Sequence, residues 1–220
     1  GPGWSSVMTG VDADKHGVDS NLNETLEAHN TLYPSFLQRA HDALGTRTAA
    51  AAHWVPALLL TPDDALDAVA LGDDKSVTMQ MEAFLYEDDF DLHFVHLDDP
   101  DAAGHSNGFQ VDNELYIEAI ENSDTHIQTL IDGLLMRPSV DEEDWLIIVT
   151  TDHGGADFDH GGMDSANQTI FIIVAGATVI PGQLPDGEAS HMDVHPTVMQ
   201  FLGLKPKPDW NLDGKVRGLL

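Results

Sequence analysis

One segment, WLIIVTTDHGGADFDH from Trp145 to His160, constrains the fold of this chain most. It opens with five large apolar residues in a row, and such a run predicts a strand in the middle of a parallel sheet, covered on both faces. Asp152 and His153 follow this strand, two glycines come next, and His160 lies seven residues after His153. Because open α/β sheets carry their chemistry outside the carboxyl ends of strands, the Asp-His pair predicts metal binding. The alternative is an Asp152 that caps a helix, with His153 solvated beside it.

Further apolar segments alternate between strand patterns and helix patterns. Phe90–Leu97 and Thr169–Ala175 are two more predicted core strands, and the longest periodic helix covers Val111–Met136. Strands that alternate with helices predict an α/β fold, with a mainly parallel central sheet sandwiched by helices. We expect the three strands to share one sheet, with the long helix packed on one of its faces.

The rest of the chain predicts shorter elements. Four alanines in Thr46–Trp54 suit either a strand, which we favour, or a helix. The pattern of Pro56–Gly72 is ambiguous and favours a helix after Thr61-Pro62, and the polar segment Asp12–Asn30 predicts a surface loop. Further helices are predicted in Gly1–Gly10, Pro34–Leu44, Asp74–Tyr86 and Met192–Leu202, before a surface tail at Lys205–Leu220.

Length and charge restrict the class of protein. The 220 residues suit a single domain, 1–220, in which 19–72 is a candidate cap or variable region. Nine Lys and Arg against 38 Asp and Glu give a net charge of −29, which argues against binding nucleic acid or anionic membranes. No cysteine is present, so thiolate metal sites and disulfides are excluded, and no apolar run is long enough to span a bilayer. So acidic a surface indicates either the cytoplasm of a halophile or a secreted or periplasmic protein.

A second pair of candidate ligands follows another predicted strand. Asp101 and His105 come after Phe90–Leu97, and their spacing of four places both side chains on one face of a helical turn. Carboxylates and imidazoles suit Zn²⁺, Mn²⁺ or Fe. With Asp152, His153 and His160 there are five candidate ligands, more than one tetrahedral ion needs. We therefore predict a two-metal cluster, of the kind that holds the attacking and leaving oxygens in phosphoryl transfer.

Five motifs resemble the alkaline phosphatase superfamily in their order along the chain. They are GPGWSSVMTGVDADKHGV, DPDAAGHSNGF, IIVTTDHGG, DHGG and DVHPTVMQFLGL, and they are most similar to the type I phosphodiesterase/nucleotide pyrophosphatase group. The resemblance implies one zinc ion held by Asp101, His105 and His160. It implies a second held by Asp152 and His153, with an aspartate from the end of a first strand and a Ser or Thr nucleophile just before the helix that follows it. The implied activity is hydrolysis of small phosphoesters through in-line attack by this nucleophile and a covalent phospho-enzyme.

The chain departs from the family pattern at its start. Aligned on the first motif, the nucleophile falls immediately before Gly1 and the first-strand aspartate further upstream, so the catalytic residue is unknown. Ser5, Ser6 and Thr9 lie inside the predicted helix, where we expect packing and capping roles. The alternatives are a phosphomonoesterase, phosphonate hydrolase or sulfatase with the same metal centre, or an inactive fragment with a structural or binding role. Nothing in the motifs indicates an oligomeric state.

Other polar residues have simpler interpretations. His16 is expected to order its loop through hydrogen bonds, and at least one of His93 and His96 is expected to pack inside the protein. Asp193 is assigned to helix capping. His191 and His195, which flank it, are left without a role.

Overall fold

The computed structural model describes residues 1–21, 32–60, 66–87, 89–184 and 187–219, and its fold is mixed α/β, as predicted. The strands are β1 (Thr48–Ala52), β2 (Leu66–Ala70), β3 (Leu92–His96), β4 (Leu146–Thr150) and β5 (Ile172–Gly176). The helices are α1 (Pro2–Thr9), α2 (Ala13–His16), α3 (Phe36–Leu44), α4 (Asp74–Leu85), α5 (Asp99–Asn107), α6 (Glu114–Leu135), α7 (Ser165–Gln168) and α8 (Val194–Phe201).

β1 is the central strand of a three-stranded sheet with the order β2-β1-β3, which we call the parallel sheet. In its register Thr48 lies beside Leu66 of β2 and Leu92 of β3. The strand predicted in Thr46–Trp54 is therefore confirmed, and its four alanines are fully buried. Their small side chains allow the layers on both faces of the sheet to approach closely.

Helices cover the parallel sheet on both faces. On one face α1, α3 and α8 pack against Ala50, Ala52 and Phe94. On the other face α4 packs against Ala49 and Ala51, and Leu130 of α6 joins the same cluster. The structure thus has a parallel sheet flanked by helices, with the long helix on one face as the periodicity predicted.

β4 and β5 form a separate antiparallel pair, which we call the β4–β5 pair. The expectation that both strands share a sheet with Phe90–Leu97 is wrong, since no ladder joins β3 to β4 within the described residues. The physical reason for the antiparallel direction lies in the connection 151–171. This segment folds back on itself, with Gly154 N donating to Asn167 O at 2.8 Å, and it contains only the short α7. Because it does not cross back along the sheet, β5 must run opposite to β4.

The β4–β5 pair is less buried than its sequence predicted. Every residue of β4 is only half-buried, and Ile173 of β5 is 55% exposed. Ile148 and Ile172 pack against the core, whereas Ile173 and Ala175 are exposed. A run of apolar residues therefore does not by itself ensure cover on both faces.

The segment 66–70 forms β2 instead of the predicted helix, while 61–65, where that helix was expected to begin, lie outside the described residues. β2 pairs along the whole of β1, and Val69 packs against the core. Backbone pairing with the edge of β1 thus outweighs the local preference for helix.

The predicted surface loop Asp12–Asn30 contains α2, and its residues 22–30 lie outside the described part of the chain. His16 is buried, with Nδ1 accepting from Val18 N at 3.1 Å and Nε2 lying 3.0 Å from Ser6 Oγ. Its role in ordering the loop is confirmed. Among the described residues, no helix is both long enough and apolar enough to cross a membrane.

Candidate metal centre

Asp101 and His105 lie one turn apart on α5, which follows β3 and has a proline in its first turn. The distance from Asp101 Oδ2 to His105 Nε2 is 3.5 Å. The helical spacing predicted from the sequence therefore brings the two side chains together. Both lie beyond the carboxyl end of a strand of the parallel sheet, where ligands bind in such folds.

The loop after β4 brings the other predicted ligands to the same place. His160 Nε2 lies 3.5 Å from Asp101 Oδ1, so Asp101 stands between His160 and His105. The ligand atoms of these three residues all lie within 4.8 Å of one another. The ring of His153 stacks on that of His160 at 3.8 Å, and Asp152 Oδ2 is 3.6 Å from His153 Nε2.

Backbone carbonyls orient two of the imidazole rings. His105 Nδ1 donates to Phe158 O at 3.0 Å, and His153 Nδ1 donates to Gly154 O at 2.8 Å. With the proton on Nδ1, the lone pair of each ring is on Nε2, the nitrogen that faces a carboxylate. Ligand histidines in metalloproteins are usually held by such a second hydrogen bond.

The residues present fit a divalent cation. Asp101 Oδ1 is buried and accepts no hydrogen bond from the described residues. A buried anionic oxygen without a partner is costly, and a bound cation removes that cost. Burial lowers the pKa of His160, and the neighbouring His153 lowers it further, so the imidazole is neutral and free to bind.

Phe109 lies between the two segments that carry the ligands. Its ring contacts the rings of His105 and His160 edge-on, at 5.5 and 6.2 Å. A Cβ atom at Gly104 or at Gly155 would collide with this ring, so both positions require glycine. This role was not predicted from the sequence, although the glycine directly before His105 was an available signal.

The N-terminus of α1 points into the same site. The backbone nitrogen of Gly1 is buried beside Asp152 and Asp101. Ser5, Ser6 and Thr9 are buried away from it, with Thr9 Oγ1 donating to Ser5 O at 2.6 Å. The three hydroxyl residues therefore pack inside the protein, as expected.

Asp193, His191 and His195 lie at or just before the start of α8. Asp193 is buried, forms a capping box with Ser190 in the turn before α8 and binds Arg217 Nε at 2.6 Å, so its role is structural. Its side chain makes no capping hydrogen bond to α8, and the predicted cap of this helix is therefore wrong. His195 is buried and donates from Nδ1 to Met8 O at 2.8 Å. His191 lies beside Asp152, and burial lowers its pKa.

A second cluster, which sequence reasoning missed, also brings ligand-type atoms within 4.8 Å of one another. It consists of His53, Asp74 and Asp99, which follow β1, β2 and β3 respectively. The available signal was the same as for the first cluster, a polar residue at the end of a strand.

A sequence model described as the metalloenzyme superfamily matches residues 67–206, a range that includes all five predicted ligands. No curated protein sequence matches the chain.

Several solved structures share the fold. A phosphonate monoester hydrolase from Silicibacter pomeroyi has a TM-score of 0.67 and 16% identity, over 98% of this chain and 66% of that one. A Bacteroides thetaiotaomicron protein connected with glycosaminoglycan metabolism has a TM-score of 0.65 and 12% identity, over 98% and 63%. A phosphoglycerate mutase from Leishmania mexicana, studied at low cobalt concentration, has a TM-score of 0.58 and 15% identity, over 80% and 38%. The chain thus spans less than two thirds of the length of these proteins, and at such identities the likeness shows the fold alone.

Proposed function

The chain belongs to the metalloenzyme superfamily of alkaline-phosphatase-like proteins, and we propose that it is the metal-binding part of a hydrolase of small phosphoesters, most similar to phosphodiesterases and nucleotide pyrophosphatases. One observation carries the proposal. Asp101, which has a buried oxygen that accepts no hydrogen bond from the described part of the chain, stands between His105 and His160 beside the Asp152-His153 pair.

Two divalent ions, with zinc as the first candidate and Mn or Fe as alternatives, suit these ligands. Asp101, His105 and His160 would hold the first ion, and Asp152 and His153 would contribute to the second. Bound ions of this kind supply Lewis-acid activation of a phosphoryl group and of its attacking oxygen. The protein holds the Nε2 lone pairs of His105 and His153 in place through the carbonyls of Phe158 and Gly154.

The nucleophile and the remaining aspartate ligand are proposed to lie in a segment that precedes Gly1. Two observations support this. The backbone nitrogen of Gly1 lies beside Asp152 and Asp101, so a residue joined to it would reach the metal ligands. In addition, β3 and β4 each have an edge without a partner strand among the described residues, which leaves room for a strand ahead of α1. We propose that the chain is a single domain and that the segments of 19–72 outside α3, β1 and β2, which belong to the core, shape its substrate pocket.

The test compares the 220 residues with a longer chain that carries the preceding segment. The longer chain should bind two zinc ions and cleave bis(p-nitrophenyl) phosphate, and His105→Ala should remove zinc and activity together. His41→Ala is the matched control, because His41 binds Thr46 O at the opposite end of β1. Cleavage of a monoester, phosphonate or sulfate instead would place the chain with another activity of the superfamily. Zinc binding that His105→Ala leaves unchanged would contradict the proposed site.

The acidic surface is proposed to be an adaptation to high salt, supported by the net charge of −29. Cooperative unfolding should then require salt near or above molar concentration. A protein that unfolds cooperatively only in dilute salt would contradict this.

A further inference from the structure

Helix α5 lacks a cap from its own N-cap residue, although it carries two of the proposed metal ligands. Asp98 stands at the N-cap position, and its side chain makes no capping hydrogen bond. The first backbone N–H groups of a helix have no partner within the helix. Here the N–H groups of Asp98 and Asp99 donate to Asp74, at 2.8 Å to Oδ1 and 2.9 Å to Oδ2.

Asp74 belongs to a different element, the first turn of α4, and is fully buried. His53 Nδ1, at the end of β1, donates to the same Oδ1 at 2.8 Å. A buried carboxylate is costly unless hydrogen bonds satisfy it, and these three donors do so. Asp74 therefore links the ends of β1, β2 and β3 to the start of α5.

This cluster has the geometry of a metal site, but its hydrogen bonds favour another role. Both Asp74 oxygens already accept backbone N–H groups from α5. The third member, Asp99, is 43% exposed and lies 3.9 Å from His53 Nδ1. Asp74 is thus engaged with the helix that leads to Asp101.

We propose that Asp74 is a positioning residue for the metal centre and acts through α5, an inference that rests on the proposed function. The positions of Asp101 and His105 depend on the position of α5, because both residues belong to this helix. The cap on Asp98 and Asp99 lies within one turn of Asp101, so it sets where α5 begins and how its ligands face His160. Loss of residues that orient metal ligands typically costs ten- to a hundredfold in metal affinity.

The first experiment measures Zn²⁺ affinity by calorimetry, with the unfolding free energy determined for every variant. Asp74→Asn should weaken Zn²⁺ binding at least about tenfold. Asp73→Asn is the matched control, since it removes the same charge one residue earlier. Asp73 is exposed and caps its own helix α4 through Ser76 N at 2.7 Å. Its variant should bind Zn²⁺ like the natural protein, and His53→Gln, which leaves the α5 cap in place, should give an intermediate loss.

The second experiment needs no variant and applies even if Asp74→Asn does not fold. Coupling between two sites is reciprocal, so Zn²⁺ bound at Asp101 and His105 should stabilise the cap. Amide hydrogen exchange at Asp98 and Asp99 should therefore slow when Zn²⁺ is added. Exchange at Ser76, whose amide binds Asp73, should stay the same.

The outcomes separate this inference from the proposed function. One outcome would overturn the inference but leave the proposed function standing. Zn²⁺ binding would then depend on His105, while a folded Asp74→Asn variant keeps its Zn²⁺ affinity or Zn²⁺ leaves amide exchange at Asp98 and Asp99 unchanged. Loss of one whole ion in Asp74→Asn, with the affinity of the others unchanged, would show a metal site at His53, Asp74 and Asp99 instead. Zn²⁺ binding that does not depend on His105 would overturn both.

Discussion

The strands β1 and β4 differ in burial in the direction opposite to their hydrophobicity. β1, with the sequence TAAAA, is fully buried, whereas β4, with LIIVT, is half-buried along its length. β1 has a partner strand on each edge and helices on both faces. Among the described residues β4 has one partner strand, and its Ile148 packs against the core. Burial in this protein therefore follows from the neighbours of a strand more than from its own side chains.

The proposed metal centre draws on both regions. The parallel sheet leads to α5, where Asp101 and His105 are held by a helix whose first turn is capped by Asp74. The β4–β5 pair leads to the loop that carries Asp152, His153 and His160. One half of the site thus rests on a layer buried on both sides, and the other half rests on a more open pair of strands.

The largest expected effect compares one ligand from each half of the site. Asp101 contacts both His105 and His160, so Asp101→Ala should lower Zn²⁺ affinity by more than about a hundredfold, beyond the usual effect of an outer residue. His153→Ala should have a smaller effect on the first ion, since His153 meets His160 only by stacking. Calorimetry with Asp112→Ala as the control checks this, and equal losses in the two variants would contradict it.

Acid should weaken the parallel-sheet region through its buried histidines. Burial lowers the pKa of His93, His96 and His195 to about 4, from about 6.5 for a free histidine. Between these values the unfolded chain binds a proton that the folded chain does not, so stability falls as the pH drops from about 6.5 to about 4. Each histidine contributes up to roughly 1.4 kcal/mol per pH unit.

The measurement is chemical unfolding at several pH values and fixed salt. His195→Gln should reduce the slope of the unfolding free energy against pH, because it removes one of these three histidines. If the slope equals that of the natural protein, His195 does not contribute to the pH dependence of stability.

Replacing an alanine by leucine should lower the free energy of unfolding more in the parallel sheet than in the β4–β5 pair. Ala51→Leu adds volume at a fully buried position of β1 and should lower the free energy of unfolding by about 1–3 kcal/mol. Ala175→Leu is the matched control in β5, where the side chain is exposed, and it should stay within about 0.5 kcal/mol. Chemical denaturation checks both, and equal costs would show that β5 is covered in solution.

The smallest effect is expected on the open face of the β4–β5 pair. Ile173 is 55% exposed, so Ile173→Thr should change the unfolding free energy by less than about 0.5 kcal/mol. Ile172, the next residue, packs against the core, and Ile172→Thr should cost more. The order of the two values, measured by the same denaturation, is the decisive result.

Several parts of the structure follow from local sequence patterns. Helical spacing predicted that Asp101 and His105 share a helix face, and glycine predicted the end of α1, where Gly10 has φ of 72°. The positions of the ligands after strands also predicted which residues come together, because a strand end and its following residues are adjacent along the chain.

Strand pairing, burial and support of the site could not be predicted in this way. Nothing local indicates that β5 returns antiparallel to β4, that four alanines form the most buried strand, or that Asp74 caps α5. Likewise, the contact of Phe109 with Gly104 and Gly155 joins segments far apart in sequence. Local patterns determine the type of element and the chemistry at its end. The partner strands of each strand, the helices that cover it and the orientation of the ligand side chains depend on contacts between distant segments. Only the tertiary structure therefore decided them.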